Sequence, residues 1–476
     1  MRPFEIALVA VNLLTLVVSF VPRVRGTVWP VAAGLFTVAI AIVQLIVEGS
    51  RWQMLPAYAA AGILLLVSVL FWRLGPGTNR PLAIGATFMA IALVLVVSIG
   101  LPLAIPMFAF PMPTGPYAIG TLTYDWVDQS RADLGDPSAR RELMVQVWYP
   151  AEPSPTAEYD TYIQDQMHFG SLPGTRFPAF FSTHLHDVRT HALRGAPAAR
   201  DGGPFPVLVF SPGAEGFRQH NTFEVEELVS HGYVVAGIDH PGAAREVDFP
   251  DGRRVEFDPR LVDVPRFLTD PAYGETIYNY LAGDVSFSLD RIASLDAADP
   301  NGILTGRLNL GEAGMFGVSL GGLVAAEACR TDVRLKACLI QDVFVPEDAI
   351  AAGAPQPTMW LASDAASMHA AGWPDWEVDL HQSTMQAAYQ AARSDAYFVH
   401  VPGMFHLNFT DFPYTLAAPV GRALNLIGPI DFRHGHDIVN AYARAFFDRH
   451  LRSRPAPLLD GPSAQFSEVA VESRRP

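Results

Sequence analysis

The first 112 residues contain four long apolar runs, Phe4 to Val21, Val28 to Val47, Met54 to Phe71 and Leu82 to about Phe110, separated by short loops that carry arginines. Each run approaches or exceeds the roughly 20 residues a helix needs to cross the hydrocarbon core of a bilayer. Lipid offers no partner to a backbone N–H or C=O, so continuous apolar runs of this length can span it only as helices. The sequence therefore predicts a transmembrane region, 1–112, with spans at about 4–21, 28–47, 54–71 and 82–110. Trp29, Trp52 and Trp72 stand at segment ends, where amphipathic rings prefer the interface. A cleavable signal peptide is the competing reading of the first run, but no A-x-A-like site follows it and three more runs do.

Orientation follows from the arginines. Arg23 and Arg25 in the first loop and Arg73 and Arg80 in the third outnumber Arg2 at the N-terminus and Arg51 in the second loop. The positive-inside rule then puts the first and third loops in the cytoplasm and everything after the fourth span outside it. No Asp, Glu or Arg lies deep in a span, Glu5 being at an end, so an anchor in the bilayer is expected, not a transport path. A Pro- and Gly-rich stretch, Phe110 to Gly120, contains the linker (113–120), with the boundary near Pro116. A catalytic domain at 121–460 and a C-terminal tail at 461–476 follow.

Half of all residues are hydrophobic and mean hydropathy is +0.20, an excess that sits almost wholly in the apolar runs. The chain's net charge is −15, and all its acidic residues but Glu5 and Glu48 lie in the remainder, which excludes nucleic acid as a partner, since phosphate binding needs clustered Lys and Arg. Strand-like stretches recur at Thr121 to Val127, Met144 to Trp148, Val207 to Ser211, Val234 to Asp239, Ala313 to Gly317, Ala337 to Asp342, Thr358 to Ala362 and Tyr397 to Val401. Several are continuous apolar runs, as strands buried on both faces require. Helical patterns such as Thr222 to His231, Asp284 to Leu295 and Leu320 to Cys329 lie between the later ones. Alternation of this kind calls for an α/β fold, a mainly parallel sheet with helices on both faces, in which the two leading strands form an antiparallel edge.

Within this pattern Gly317-Val318-Ser319-Leu320-Gly321 stands at the end of an apolar strand and the start of an Ala-rich helix. That is the context in which G-x-S-x-G makes a nucleophile elbow. The sharp turn forces the serine into a strained backbone conformation, and flanking glycines (Gly317, Gly321) relieve the crowding. An attacking Ser319 needs a histidine base and a carboxylate, in the chain order Ser, Asp or Glu, His. Of the histidines beyond Ser319, His406 follows the last strand on a loop at its C-terminal end, where the sites of open α/β sheets lie. Asp342 and Asp364 both follow strands in the right interval and both remain open as the acid. An oxyanion hole requires two N–H donors, for which Leu320 and Ala214, on the loop after the strand ending at Ser211, are the candidates.

The segments VLVFSPGAEGFR, LVSHGYVVAGIDHPG, MFGVSLGG, ACLIQDVFVP and GMFHLNFTDFP, in this order, make the chain resemble the plasma-type (isoform II) platelet-activating factor acetylhydrolase family and its bacterial relatives. The resemblance runs from about Arg141 to Leu451 and is strongest in H-x-N-F-x-D-F. It implies an α/β-hydrolase fold, an acid one strand after the nucleophile, hence Asp342 ahead of Asp364, and Ala214 and Leu320 as oxyanion donors. It also implies short or oxidised acyl chains of phospholipids as substrate, with no metal or cofactor. Two departures are Pro212 and Val318, where the family usually has His. A general esterase or acyltransferase on a non-lipid ester would use the same residues, whereas a non-catalytic membrane binding protein would tolerate loss of Ser319.

The remaining polar features read as structural. His184, His186, Asp187 and His191 lack metallohydrolase spacing and suit a polar surface. His434 and His436 are expected to face solvent. Cys329 and Cys338 read as two buried thiols, with a bridge as the alternative in an oxidising compartment. The inserts Ala151 to Pro204 and Gly242 to Gly283 carry Phe169, Phe177, Phe180, Phe181, Phe249 and Phe267, which line an acyl site or pack the inserts.

Overall fold

The computed structural model describes residues 1–75, 80–164 and 179–475. Phe169 and Phe177 lie outside these residues. The chain forms two compact units, one comprising Met1–Phe108 with residues 179–185 and Tyr414–Val420, the other the remainder.

The first unit contains helices α1 (Pro3–Phe20), α2 (Trp29–Glu48), α3 (Leu55–Leu74) and α4 (Pro81–Ala104), each starting with proline in its first turn. Proline lacks the N–H that a helix start leaves unused. All four are long and apolar enough to cross a bilayer. The fourth ends at Ala104, short of the expected Phe110. Polar side chains point inward and join the helices: Thr15 to Thr37 at 2.7 Å, Ser19 to Ser68 at 2.8 Å, and Asn12 to the Ala57 carbonyl at 3.1 Å. Glu5 is fully buried and takes a bidentate pair from Arg51 at 2.6 and 2.7 Å, which is how a charge at a helix end is accommodated there. Phe180 and Phe181 pack on Trp52, with ring centroids 5.6 and 4.4 Å away.

The second unit is built on an 11-stranded sheet. Its strands, with a two-stranded ribbon (β7 and β8), are β1 (Ala118–Ala132), β2 (Arg140–Ala151), β3 (Tyr159–Thr161), β4 (Arg189–Arg194), β5 (Phe205–Ser211), β6 (Val234–Asp239), β7 (Glu246–Asp248), β8 (Arg254–Glu256), β9 (Leu308–Val318), β10 (Leu335–Gln341), β11 (Thr358–Ala362), β12 (Ala396–His400) and β13 (Ala470–Arg474). The sheet order is β13-β12-β11-β10-β9-β5-β6-β2-β1-β4-β3. From β6 through β12 the neighbours are parallel. β5 and β6 are buried along their whole length, which is why they read as unbroken apolar runs. The register sets Ser211 beside Gly317 and Val318 beside Gln341, so the loops leaving β5, β9 and β10 emerge level at one end of the sheet, where ligands of open α/β sheets bind.

Four expectations are corrected. The leading strands are antiparallel to each other but are not the edge, because β4 and β3 lie beyond β1. Residues 461–476 are no mere tail, since β13 pairs antiparallel with β12 from Ala396 to His400 and closes that side. Cys329 and Cys338 form a disulfide between the helix Leu320–Thr331 and β10. His436 does not face solvent: it is buried, stacked on Phe223 at 3.7 Å, and donates to the Asn408 carbonyl at 3.0 Å. His434 is half-exposed and pairs with Glu468.

Burial pushes the His436 imidazole down to about 3, against its bond to Asn408. In the unfolded chain it titrates near 6.5, so on acidification the unfolded state takes the proton first. The stability due to the neutral ring is thus complete above about pH 6.5 and is lost as pH falls toward 3. Thermal melts of the detergent-solubilised chain should show Tm falling below pH 6.5, and His436→Gln should remove on the order of 3 °C per pH unit of that slope. An unchanged slope in the variant would assign the acid sensitivity to other groups.

Candidate active site

Ser319 stands between β9 and the helix Leu320–Thr331 at φ 57°, ψ −125°, a conformation that non-glycine residues adopt only when their surroundings impose it. Its N–H donates to the Gln341 carbonyl at 3.0 Å and its C=O accepts from Gly322 at 2.8 Å. The turn has no room for side chains around it. A Cβ on Gly317 would stand 2.2 Å from the Gly321 oxygen, and one on Gly321 would stand 1.9 Å from the Ser211 oxygen. A Cβ on Gly213 would meet the Ser319 Cβ at 3.1 Å, which measures how closely the loop after β5 approaches the serine.

Asp342 follows β10 and is fully buried, with φ 48°. Its Oδ2 is 2.7 Å from His406 Nδ1, and its Oδ1 accepts from the Ser363 N–H at 2.9 Å and hydroxyl at 2.6 Å. Burial would raise this carboxyl, but the bond and charge of His406 together with Ser363 hold it below the ordinary carboxylate range. The other candidate acid, Asp364, accepts from the Ser367 N–H at 3.0 Å and caps the helix Ala365–Ala370. Asp342 is therefore the carboxylate that His406 meets.

Ser319, His406, Ala214 and Leu320 share a cavity of about 210 Å³. Among the described residues the Ala214 and Leu320 N–H groups have no backbone partner among the turn, loop and cap hydrogen bonds. Pro212 and Val318 are buried beside them. Phe267 lines the cavity, whereas Phe249 packs with Met144, Ala244 and Val247. His191 is committed to Glu226 at 2.7 Å, and His400 to Gln382 at 3.1 Å.

Several contributors carry no motif. Trp373 stands 5.8 Å from the His406 ring and 4.8 Å from that of His381, and both residues line the cavity with Glu377. Burial lowers His381 to about 4, leaving it neutral, with Nδ1 donating to the Glu377 carbonyl at 2.9 Å. The H-x-N-F-x-D-F segment proves to be a clamp. Asn408 Oδ1 accepts from Phe405 and Gly428 at 3.0 and 2.7 Å. Asp411 accepts from Thr222 and Phe223 at the start of the helix Thr222–Ser230, at 2.7 and 3.2 Å. The loop of His406 is thereby tied to the helix that follows the Ala214 loop.

A parallel sheet whose strand ends bring together an elbow serine, a histidine on a buried aspartate and two N–H groups defines an α/β hydrolase of the serine esterase class. The chain belongs to the platelet-activating factor acetylhydrolase, isoform II, family, whose profile matches residues 105–246 and 293–455. A platelet-activating factor acetylhydrolase of Cavia porcellus is 24% identical over 361 residues, 72% of this chain and 78% of that protein. A probable 1-alkyl-2-acetylglycerophosphocholine esterase of Arthroderma benhamiae is 24% identical over 387 residues, 76% and 93%. Among solved structures, a ferulic acid esterase from Streptomyces cinnamoneus superposes with TM-score 0.63 at 30% identity, covering 77% of this chain and 99% of its own. The family match begins beyond the four helices and omits 247–292, the stretch that supplies Val262, Phe267 and Leu268 to the cavity.

Proposed function

We propose that the chain hydrolyses short or oxidised acyl esters of phospholipids through an acyl-enzyme on Ser319, at the outer face of a membrane in which its four helices are anchored. The observation that carries this reading is the 2.7 Å bond of His406 to buried Asp342 on the cavity that Ser319 lines. Asp342 accepts Nδ1–H and so leaves the His406 Nε2 lone pair as base. Ser319 Oγ attacks the carbonyl carbon as His406 takes its proton, and the Ala214 and Leu320 N–H groups stabilise the oxyanion. His406 then gives the proton to the departing alcohol, and water repeats the sequence on the acyl-enzyme.

Support for the lipid reading comes from the family and its acetylglycerophosphocholine-esterase relatives. Support for the outer face comes from the Arg count of the loops and from the Cys329–Cys338 disulfide, since such bonds persist in oxidising compartments. A second reading, a non-lipid aromatic ester, is favoured by the ferulic acid esterase likeness and by the walls that Phe267, Phe344 and Trp373 give the cavity.

The test uses sealed right-side-out vesicles bearing the full chain, with a membrane-impermeant short-chain phospholipid and a panel of soluble aryl esters. Phospholipid turnover without permeabilisation is the expected result. Turnover confined to the aryl esters would overturn the lipid reading, and turnover appearing only after permeabilisation would overturn the outer-face assignment.

A further inference from the structure

A hydrogen-bonded Ser-His-Asp chain separate from Ser319, His406 and Asp342 lies in the core. Ser211, the last residue of β5, has Oγ 3.0 Å from His240 Nε2, and His240 Nδ1 is 2.8 Å from Asp284 Oδ2. All three are buried, so no substrate reaches them and Ser211 is no second nucleophile. Asp284 is held as a carboxylate by Arg141 at 2.6 Å and Arg131 at 2.7 Å. An ionised Asp284 accepts Nδ1–H, and in the neutral tautomer so fixed Nε2 accepts the Ser211 hydroxyl.

What this chain holds is the floor of the site. The Ser211 carbonyl is the atom that a Cβ on Gly321 would strike, and the residues after Ser211 are Pro212, Gly213 and the donor Ala214. The His240 turn is bonded to the same loop. The His240 carbonyl accepts from Ala243, the Ala243 carbonyl accepts from the Glu215 N–H at 2.9 Å, and Arg245 N–H donates to Gly216 at 3.0 Å. Arg218, further along the loop, donates from its backbone to Asp239 at 2.6 Å and pairs with it through the guanidinium. Asp284 stands in the stretch outside the family match, on the helix Pro271–Ala298, so the chain also fastens that helix to the catalytic strand ends.

We infer that Ser211, His240 and Asp284 are positioning residues that set the separation of the Ala214 and Leu320 N–H groups, and so tune oxyanion stabilisation without touching substrate. This rests on the proposed roles of Ser319, Ala214 and Leu320. A displaced donor weakens transition-state binding more than ground-state binding, so the signature is a fall in kcat with KM held.

The experiment measures kcat, KM, Tm and the affinity of an aryl boronic acid, which forms a tetrahedral adduct on an active serine. Ser211→Ala and His240→Leu should lose about 10- to 100-fold in kcat and the same factor in boronate affinity, with KM within about twofold. His240→Gln, which offers an acceptor near the Nε2 position, should recover most of both. Variants that only melt earlier, with wild-type kcat and boronate affinity, would overturn the inference by leaving a purely structural role. If Ser211→Ala fails to fold, the contrast between His240→Leu and His240→Gln decides in the same way. Failure of the wild type itself to bind the boronate would instead overturn the underlying reading of Ser319.

Discussion

Asp342→Asn is expected to lower kcat by about 10⁴-fold while leaving KM and folding nearly unchanged. The amide keeps the shape of the carboxylate, and its oxygen can still accept from Ser363, which donates at 2.6 and 2.9 Å. Its NH₂ then faces His406 Nδ1, where a carboxylate oxygen stood at 2.7 Å. Nδ1 must become the acceptor, the ring proton moves to Nε2, and the lone pair that should deprotonate Ser319 is gone. Ser319→Ala should lose about 10⁶-fold, because it removes the attacking atom itself. Asp364→Asn supplies the contrast. An asparagine still caps the helix Ala365–Ala370, so activity should stay near wild type and stability should fall by less than about 1 kcal/mol. Steady-state kinetics on one ester with the three variants decides the matter. Wild-type turnover in Asp342→Asn, with a large loss in Asp364→Asn, would transfer the acid role.

The order of these effects follows from what sequence order reveals and what it hides. Strands β5, β6 and β9 to β12 were legible because burial on both faces writes itself as unbroken apolar runs, and Ser319 because its turn demands glycines on either side. The choice between Asp342 and Asp364 was illegible from the residues alone, since both end strands. It is the Ser367 N–H that occupies one and His406 that meets the other. β3 and β13, the two edge strands, and β4 beside β3 carry no sequence signal because they are short and lack a continuous apolar run. His436 reads as polar from the sequence because it stands two residues from an exposed histidine, yet a helix turns it through about 200° toward Phe223. Contacts such as Ser211 with His240, or Ser363 with Asp342, join residues 29 and 21 apart. No local pattern marks them.

Gly321→Ala should lower kcat by at least about 100-fold although it changes no functional atom. A Cβ there would stand 1.9 Å from the Ser211 oxygen, 2.5 Å from its carbonyl carbon and 2.7 Å from the Pro212 oxygen. All three are backbone atoms, so no rotamer change can yield the space. The helix Leu320–Thr331 must instead move away from β5, and that movement carries Leu320 away from Ala214. A displacement near 1 Å costs about 100-fold in rate, and overpacking against a fixed backbone costs about 1–3 kcal/mol or more. The expected result is a kcat at least about 100-fold down with a lower Tm. Gly322→Ala is the control in the next position, where the closest atom is a Val343 side-chain methyl at 2.7 Å. That methyl can shift, so the effect should be several-fold smaller in both measurements. Equal behaviour of the two variants would mean that the contact between Ser211 and the elbow does not set the geometry of the site.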